Sequence, residues 1–171
     1  MCLLLCLKIP YECYSCRDRK ISKSSYRTPQ RISKATHGTD DAHLQFKADE
    51  KTWSVNDILA HLRSCADVWG DSVEAMLAED NPKVPYRHPR QWIKKTNYLK
   101  LSFQESFQAF QAQRKKFVKA LKGLSFEDWS RAAIIKGREH TVFTQVRRMA
   151  THEREHVEQM EALLESGADR Q

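Results

Sequence analysis

Residues 52–69 read TWSVNDILAHLRSCADVW. Ser54 followed three residues later by Asp57 is a capping-box-like helix start. From there Ile58, Leu62, Cys65, Trp69, Val73 and Met76 recur along one face to about Glu79. Apolar residues three and four apart stack on one side of a helix and bury together, so the stretch specifies a long amphipathic α-helix. His61 stands on that apolar face, one turn after Asp57 and one before Cys65, and a polar ring there requires a partner.

The same period returns on either side of a break. The connector NPKVPYRHP, residues 81–89, holds three of the chain's five prolines, which forces an extended crossing between helices. Tyr98 through Lys122 then places Leu101, Phe103, Phe107, Phe110, Phe117, Val118 and Leu121 on a broad apolar stripe, and Gly123 follows where a left-handed cap would end it. Residues 124–140 hold a second Ser-x-x-Asp start at Ser125 and Asp128 and a turn at Gly137, and read as a short helical turn and a loop. A third long helix runs from about Thr141 to Glu165 on Val142, Val146, Met149, Val157, Met160, Leu163 and Leu164, with Gly167 at its end.

Three long amphipathic helices need a fourth to close a core, and only the region before residue 50 can supply it. There the chain supports two or three turns from Thr28 to about Thr36, ended by Gly38. The expected fold is therefore an all-α four-helix bundle over residues 26–167, with long crossover connections and a first helix that is short or irregular. Residues 1–25 show no helical periodicity and are expected to be a poorly ordered basic extension, or the product of a misplaced start or frameshift.

Charge and cysteine usage restrict the partners. Of the formal net charge of +7, nearly all belongs to the first 35 residues, with 8 Lys/Arg against 2 Asp/Glu, while the rest carries 21 against 20. A neutral body without a basic helix or base-stacking aromatic motif argues against nucleic acid. Cys2, Cys6, Cys13 and Cys16 crowd the start and Cys65 is alone in the body, which is no disulfide framework. The Cys13-x-x-Cys16 pair lacks the second pair that a zinc knuckle needs. The apolar run MCLLLCLKIP is too short to span a membrane and has no basic region before it, unlike a secretory signal. A reducing cytoplasm is the expected home.

The last helix contains ATHEREHVEQM, residues 150–160, in which His152, Glu153 and His156 spell H-E-x-x-H. Residues four apart share a helix face, so the two histidines can hold one metal. In zinc peptidases the motif also demands Glu153 as general base and a third ligand downstream. The extended form H-E-x-x-H-x-x-G-x-x-H fails at Gln159 and Ala162, and the fifteen residues after His156 leave too little chain for a later glutamate. His152 and His156 share the stripe of Met149, Met160 and Leu163 and face the core, whereas Glu153 is rotated by about 100°, as a surface carboxylate would be. The peptidase reading is disfavoured. An upstream ligand, His61, completes a three-nitrogen site with an open position, catalytic in style. His140, just before the last helix, is the runner-up ligand. Cys65 is either a fourth ligand or a small packing residue, the latter being the commoner fate of a buried thiol. His37, His43 and His88 fall in loops or helix ends and read as solvated or structural.

TWSVNDILAHLRSCADVW together with RKKFVKALKGLSFEDWSR and TVFTQVRRMATHEREHVEQM resembles the DinB/YfiT-like superfamily of four-helix bundles over about residues 40–165. The resemblance implies that His61, His152 and His156 correspond to that family's metal triad, which binds a divalent ion such as zinc or nickel. Some members transfer low-molecular-weight thiols or isomerise maleylpyruvate, and many have no assigned reaction. What the resemblance implies here is metal-assisted transfer of such a thiol to a small electrophile, with a noncatalytic metal-binding or interaction bundle as the alternative. A small-molecule substrate is the expected partner, a homodimer is compatible with the family, and no thiol-recognition or other catalytic residue transfers.

Overall fold

The computed structural model describes residues 27–168. The expectation for residues 1–25 lies outside the described residues. A helix over residues 27–35 (α1) is followed by α2 (Asp41–Gln45), α3 (Val55–Ala78), α4 (Pro89–Trp92), α5 (Phe103–Lys122), α6 (Phe126–Ser130) and α7 (Val142–Ala168). The four-helix bundle is built from α1, α3, α5 and α7. Among the described residues no helix is long and apolar enough to cross a membrane.

Local sequence explains the helix ends. Reciprocal capping boxes start α3 (Ser54 with Asp57), α5 (Ser102 with Glu105) and α6 (Ser125 with Asp128), each satisfying backbone N–H groups that would otherwise lack partners. The second long helix thus begins at Phe103 rather than Tyr98, and Tyr98–Lys100 forms a separate 3₁₀ turn. Gly123 ends α5 with φ −89°, so the expected left-handed cap is absent there, while Gly38 does adopt φ +78° after α1. The last helix continues through Gly167 to Ala168.

Residues 132–140, expected as loop, together with Thr141, expected to begin the last helix, form a two-stranded hairpin instead. β2 (Ala132–Ile135) and β3 (Arg138–Thr141) make an antiparallel hairpin, and β1 (Lys83–Val84) joins β2 in parallel through Lys83↔Ile134 and Val84↔Ile135. The hairpin turn falls at Lys136 (φ 51°) and Gly137 (φ 72°), two consecutive positive-φ residues of the kind a tight hairpin uses. The sheet closes one end of the bundle, where Ala133 and Ile135 pack with Val73, Met76, Leu121, Trp129, Val142 and Val146.

Opposite that end, Ile32 of α1 packs with Ile58, Leu59, Leu62, Phe107, Phe110, Val157 and Met160. These two clusters show that α3 and α7 run antiparallel, since early α3 meets late α7 and late α3 meets early α7. Arg31 donates to both Glu161 carboxylate oxygens, at 3.1 and 2.6 Å, and ties α1 to α7. The proline-rich crossover is held to α3 by Asp67, which accepts from Trp92 Nε1 (3.0 Å), Tyr98 Oη (2.8 Å) and Gln113 Nε2 of α5 (2.7 Å). Buried Ser64 adds a hydrogen bond to the Pro89 carbonyl at 2.7 Å.

Candidate metal centre

In the half of the α3–α7 pair away from the sheet, helical spacing brings polar residues into register. On α3, His61, Cys65 and Trp69 follow one another at four-residue steps; on the antiparallel α7, so do Arg148, His152 and His156. The rings of His61, His152 and His156 meet edge to face, with centroids 5.3, 5.0 and 4.5 Å apart. His61 Nε2 lies 3.1 Å from His152 Nε2, and one nitrogen from each of the three rings falls within 4.8 Å of the others. An ion bound tetrahedrally at about 2.0–2.1 Å from each nitrogen needs them about 3.4 Å apart, so small side-chain adjustments suffice for all three to reach one ion.

Aromatic walls fix the rings. Trp53, just before the α3 cap, lies 5.0 Å from His61 and stacks at 5.9 Å on His156, while Trp69 meets His152 edge to face at 5.1 Å. His156 Nδ1 lies 2.9 Å from Gln159 Oε1. A carbonyl oxygen only accepts, so Nδ1 carries the proton and Nε2 is left with its lone pair, the tautomer that metal ligation requires.

Burial sets the charge of the cluster. It pulls His61 down to about 3, with His156, His152, Arg90 and His88 adding to the effect, and His152 to about 4, with His156, Arg148 and Arg90 adding to it. His156 is lowered as well, again chiefly by burial, against opposing contributions from Gln159 and Glu155. All three rings are therefore neutral at pH 7 and have nitrogen lone pairs to offer. Burial pushes the Cys65 thiol up to about 12. Its Sγ lies 3.4 Å from His61 Nε2, and it packs with Ala66, Val68, Trp69 and Met149. Cys65 thus sits in the apolar floor of the site as a protonated thiol, beside the ligand cluster rather than within it.

His140 belongs to β3 and lies outside the cluster, as do His37 and His43. His88 caps α4, its Nδ1 accepting from the Arg90 backbone N–H at 3.1 Å.

Glu153 is not the surface carboxylate that its rotation from His152 suggests. It is 3% exposed and pairs with the Arg114 guanidinium of α5, which is 2% exposed. Burial pushes its carboxyl upward, opposed by Arg114 and by a hydrogen bond with Thr28 of α1. The reason lies in the stripe itself. Val142, Val146, Met149, Glu153, Val157 and Met160 step along α7 by 4, 3, 4, 4 and 3 residues, and all are buried. Phe103, Phe107, Phe110, Arg114, Val118 and Leu121 do the same along α5. Each helix carries one charged residue in an otherwise apolar seam, and the two charges are opposite. That pattern was available to find both residues, and it leaves Glu153 turned away from the histidines and unable to serve as a peptidase base.

A cavity of about 400 Å³ adjoins the outer part of this region, lined by Phe46, Trp53, Val55, Leu163 and Leu164 among others. None of the three histidines lines it, so Trp53 is the one residue it shares with the ring cluster.

The model of the DinB superfamily matches residues 25–160. No curated protein matches the chain by sequence. Among solved structures the fold is similar to YfiT from Bacillus subtilis, described as a probable metal-dependent hydrolase with an unusual four-helix bundle topology. The TM-score is 0.73 at 15% sequence identity, over 88% of this chain and 87% of that one.

Proposed function

The chain belongs to the DinB superfamily, and from that premise we propose that it holds one divalent metal ion on His61, His152 and His156 and uses the site to transfer a low-molecular-weight thiol to a small electrophile. The observation that carries this reading is a set of three neutral imidazoles converging from two helices with no carboxylate among them. Imidazole donors suit zinc or nickel. A divalent ion held there supplies a Lewis acid that lowers the pKa of a thiol or water bound beside it.

The chain's own residues supply the rest. Gln159 fixes the His156 tautomer, and Trp53 and Trp69 restrict the rings. Cys65, held protonated, does not compete with an incoming thiol as a nucleophile. In the reaction the incoming thiol loses its proton to solvent water, its sulfur forms a bond to the electrophilic carbon, and the displaced group leaves with the carbon's former bonding pair.

Hydrolysis is the second reading, favoured by the description of YfiT. Water starts from a pKa near 15.7 and a thiol from about 8.5, so water needs far more activation. The nearest candidate base in sequence, Glu153, is committed to Arg114. Among the described residues no carboxylate joins the cluster, which weighs toward the thiol. Metal analysis of the purified protein is expected to find about one divalent ion per chain, lost in His152→Ala. Consumption of a thiol with a model electrophile such as 1-chloro-2,4-dinitrobenzene should require that ion. Turnover unchanged by chelation would overturn the mechanism, and a bound ion without thiol or ester turnover would indicate a noncatalytic metal protein.

A further inference from the structure

Two arginines flank the histidine cluster, and among the described residues neither forms an ion pair. Arg90 of α4 holds its guanidinium 5.1 Å from the centroid of Trp53, the ring that contacts His61 and His156. Arg148 precedes His152 by one turn of α7 and lies 4.6 Å from the centroid of Trp69, the ring that contacts His152. One arginine comes from the crossover and the other from the bundle, so the fold assembles two guanidinium–tryptophan–histidine stacks around one centre.

An exposed arginine is usually a solvated surface charge. These two differ in three respects. Each is oriented by an aromatic face, which leaves the edge of the guanidinium plane, with its N–H donors, free for a ligand. Each lacks the carboxylate that would neutralise it. Both lean on tryptophans that contact the histidine rings, which places two unpaired positive charges beside the cluster. A planar fork of donors matches the paired oxygens of a carboxylate or phosphate.

We infer that the substrate of this site carries an oxyanion group, carboxylate or phosphate, which Arg90 and Arg148 bind while its reacting atom lies at the three histidines. This rests on the function proposed above, and the two can fail separately.

Cobalt-loaded protein gives a direct readout, because a thiol sulfur bound to cobalt produces a charge-transfer band in the near ultraviolet. Titration with 3-mercaptopropionate, 2-mercaptoethanol and cysteamine compares anionic, neutral and cationic thiols of similar size. The anionic thiol is expected to bind about 10-fold more tightly than the neutral one, with the cationic thiol weakest. Arg90→Gln combined with Arg148→Gln should bring the anionic and neutral thiols to near parity while leaving 2-mercaptoethanol unchanged. Equal binding of the three thiols by the unaltered protein, or a preference that survives both substitutions, would overturn the inference. If no cobalt binds, the metal reading fails, and calorimetry of metal-free protein with succinate and with inorganic phosphate decides the oxyanion site alone. Binding lost in the double variant supports it, no binding overturns it, and the two anions show which oxyanion is preferred.

Discussion

Arg114 and Glu153 form an ion pair buried at both ends, one charge on α5 and the other on α7, each in the middle of an apolar seam. Among the described residues two guanidinium nitrogens of Arg114 have no hydrogen-bond partner, so the pair is poorly compensated there. Removing one partner from such a pair leaves a charge buried alone, which costs about 3–5 kcal/mol, whereas replacing both with apolar groups is often neutral. Arg114→Met is thus expected to destabilise the fold by about 3 kcal/mol or more, and adding Glu153→Leu should recover most of that loss. Urea denaturation of the single and double variants measures it. A single-variant loss under about 1 kcal/mol would show that the pair contributes little.

Ligand binding to the native state alone raises stability by mass action, by about 2.7 kcal/mol at a free concentration 100 times the dissociation constant. Zinc is expected to raise the melting temperature of the protein, and chelation to reverse the effect. His156→Ala should remove the response while leaving the metal-free melting temperature near its original value, since that ring is only partly buried. An equal zinc response in the variant would place the ion elsewhere.

Gly137 has φ +72° in the hairpin turn, a region that side chains with a Cβ rarely adopt, although no atom lies within 4 Å of where that Cβ would stand. The cost of Gly137→Ala is then conformational rather than steric, about 1 kcal/mol. Lys136, at φ 51°, is expected to gain from substitution by glycine. Thermal denaturation should separate the two variants in opposite directions. A neutral Gly137→Ala would mean that the turn can rearrange without loss.

Cys65 is buried, and its thiol is pushed up to about 12. Thiolate is the reactive form, so iodoacetamide at pH 8 should leave Cys65 unmodified in folded protein and modify it in urea, with peptide mass spectrometry distinguishing it from the other cysteines. Rapid labelling in the folded state would contradict this environment.

Legibility in the sequence followed the range of the interactions. Capping boxes and helical stripes are local, and Ser54, Asp57 and the series from Ile58 to Met76 mark α3 without knowledge of its neighbours. His152 and His156 share a face for the same local reason, and His61 announces itself as a polar ring among apolar residues. The small sheet was not legible because β1 has two residues and β2 and β3 four each, too short for alternation to register. Its parallel pairing also joins positions some fifty residues apart in sequence, as in Lys83↔Ile134. Glu153 was misplaced when its direction was reckoned from His152 alone; stepping along the buried seam from Met149 to Val157 puts it inside. The arrangement of Arg90 and Trp53 around the histidines depends on where the crossover lies against α3, which Asp67 fixes through contacts that no local pattern encodes.

The histidine cluster should also leave its mark on the pH dependence of stability. In the metal-free fold burial lowers His61 to about 3 and His152 to about 4, below the ordinary value of 6.5 that each regains on unfolding. Between those values the unfolded chain takes up protons that the folded chain refuses, so stability rises with pH wherever the unfolded state binds more of them. The contribution of these rings is fully present above pH 6.5 and is lost progressively as pH falls toward 4. Below that range the folded rings protonate too and the dependence flattens. Urea denaturation of metal-free protein at intervals from pH 7.5 to about 4.5 is expected to show this decline. The double substitution His61→Leu and His152→Leu should reduce its slope, because neither side chain then binds a proton in either state. A slope unchanged by the substitutions would assign the acid sensitivity to other groups and contradict the neutral, desolvated state of the cluster.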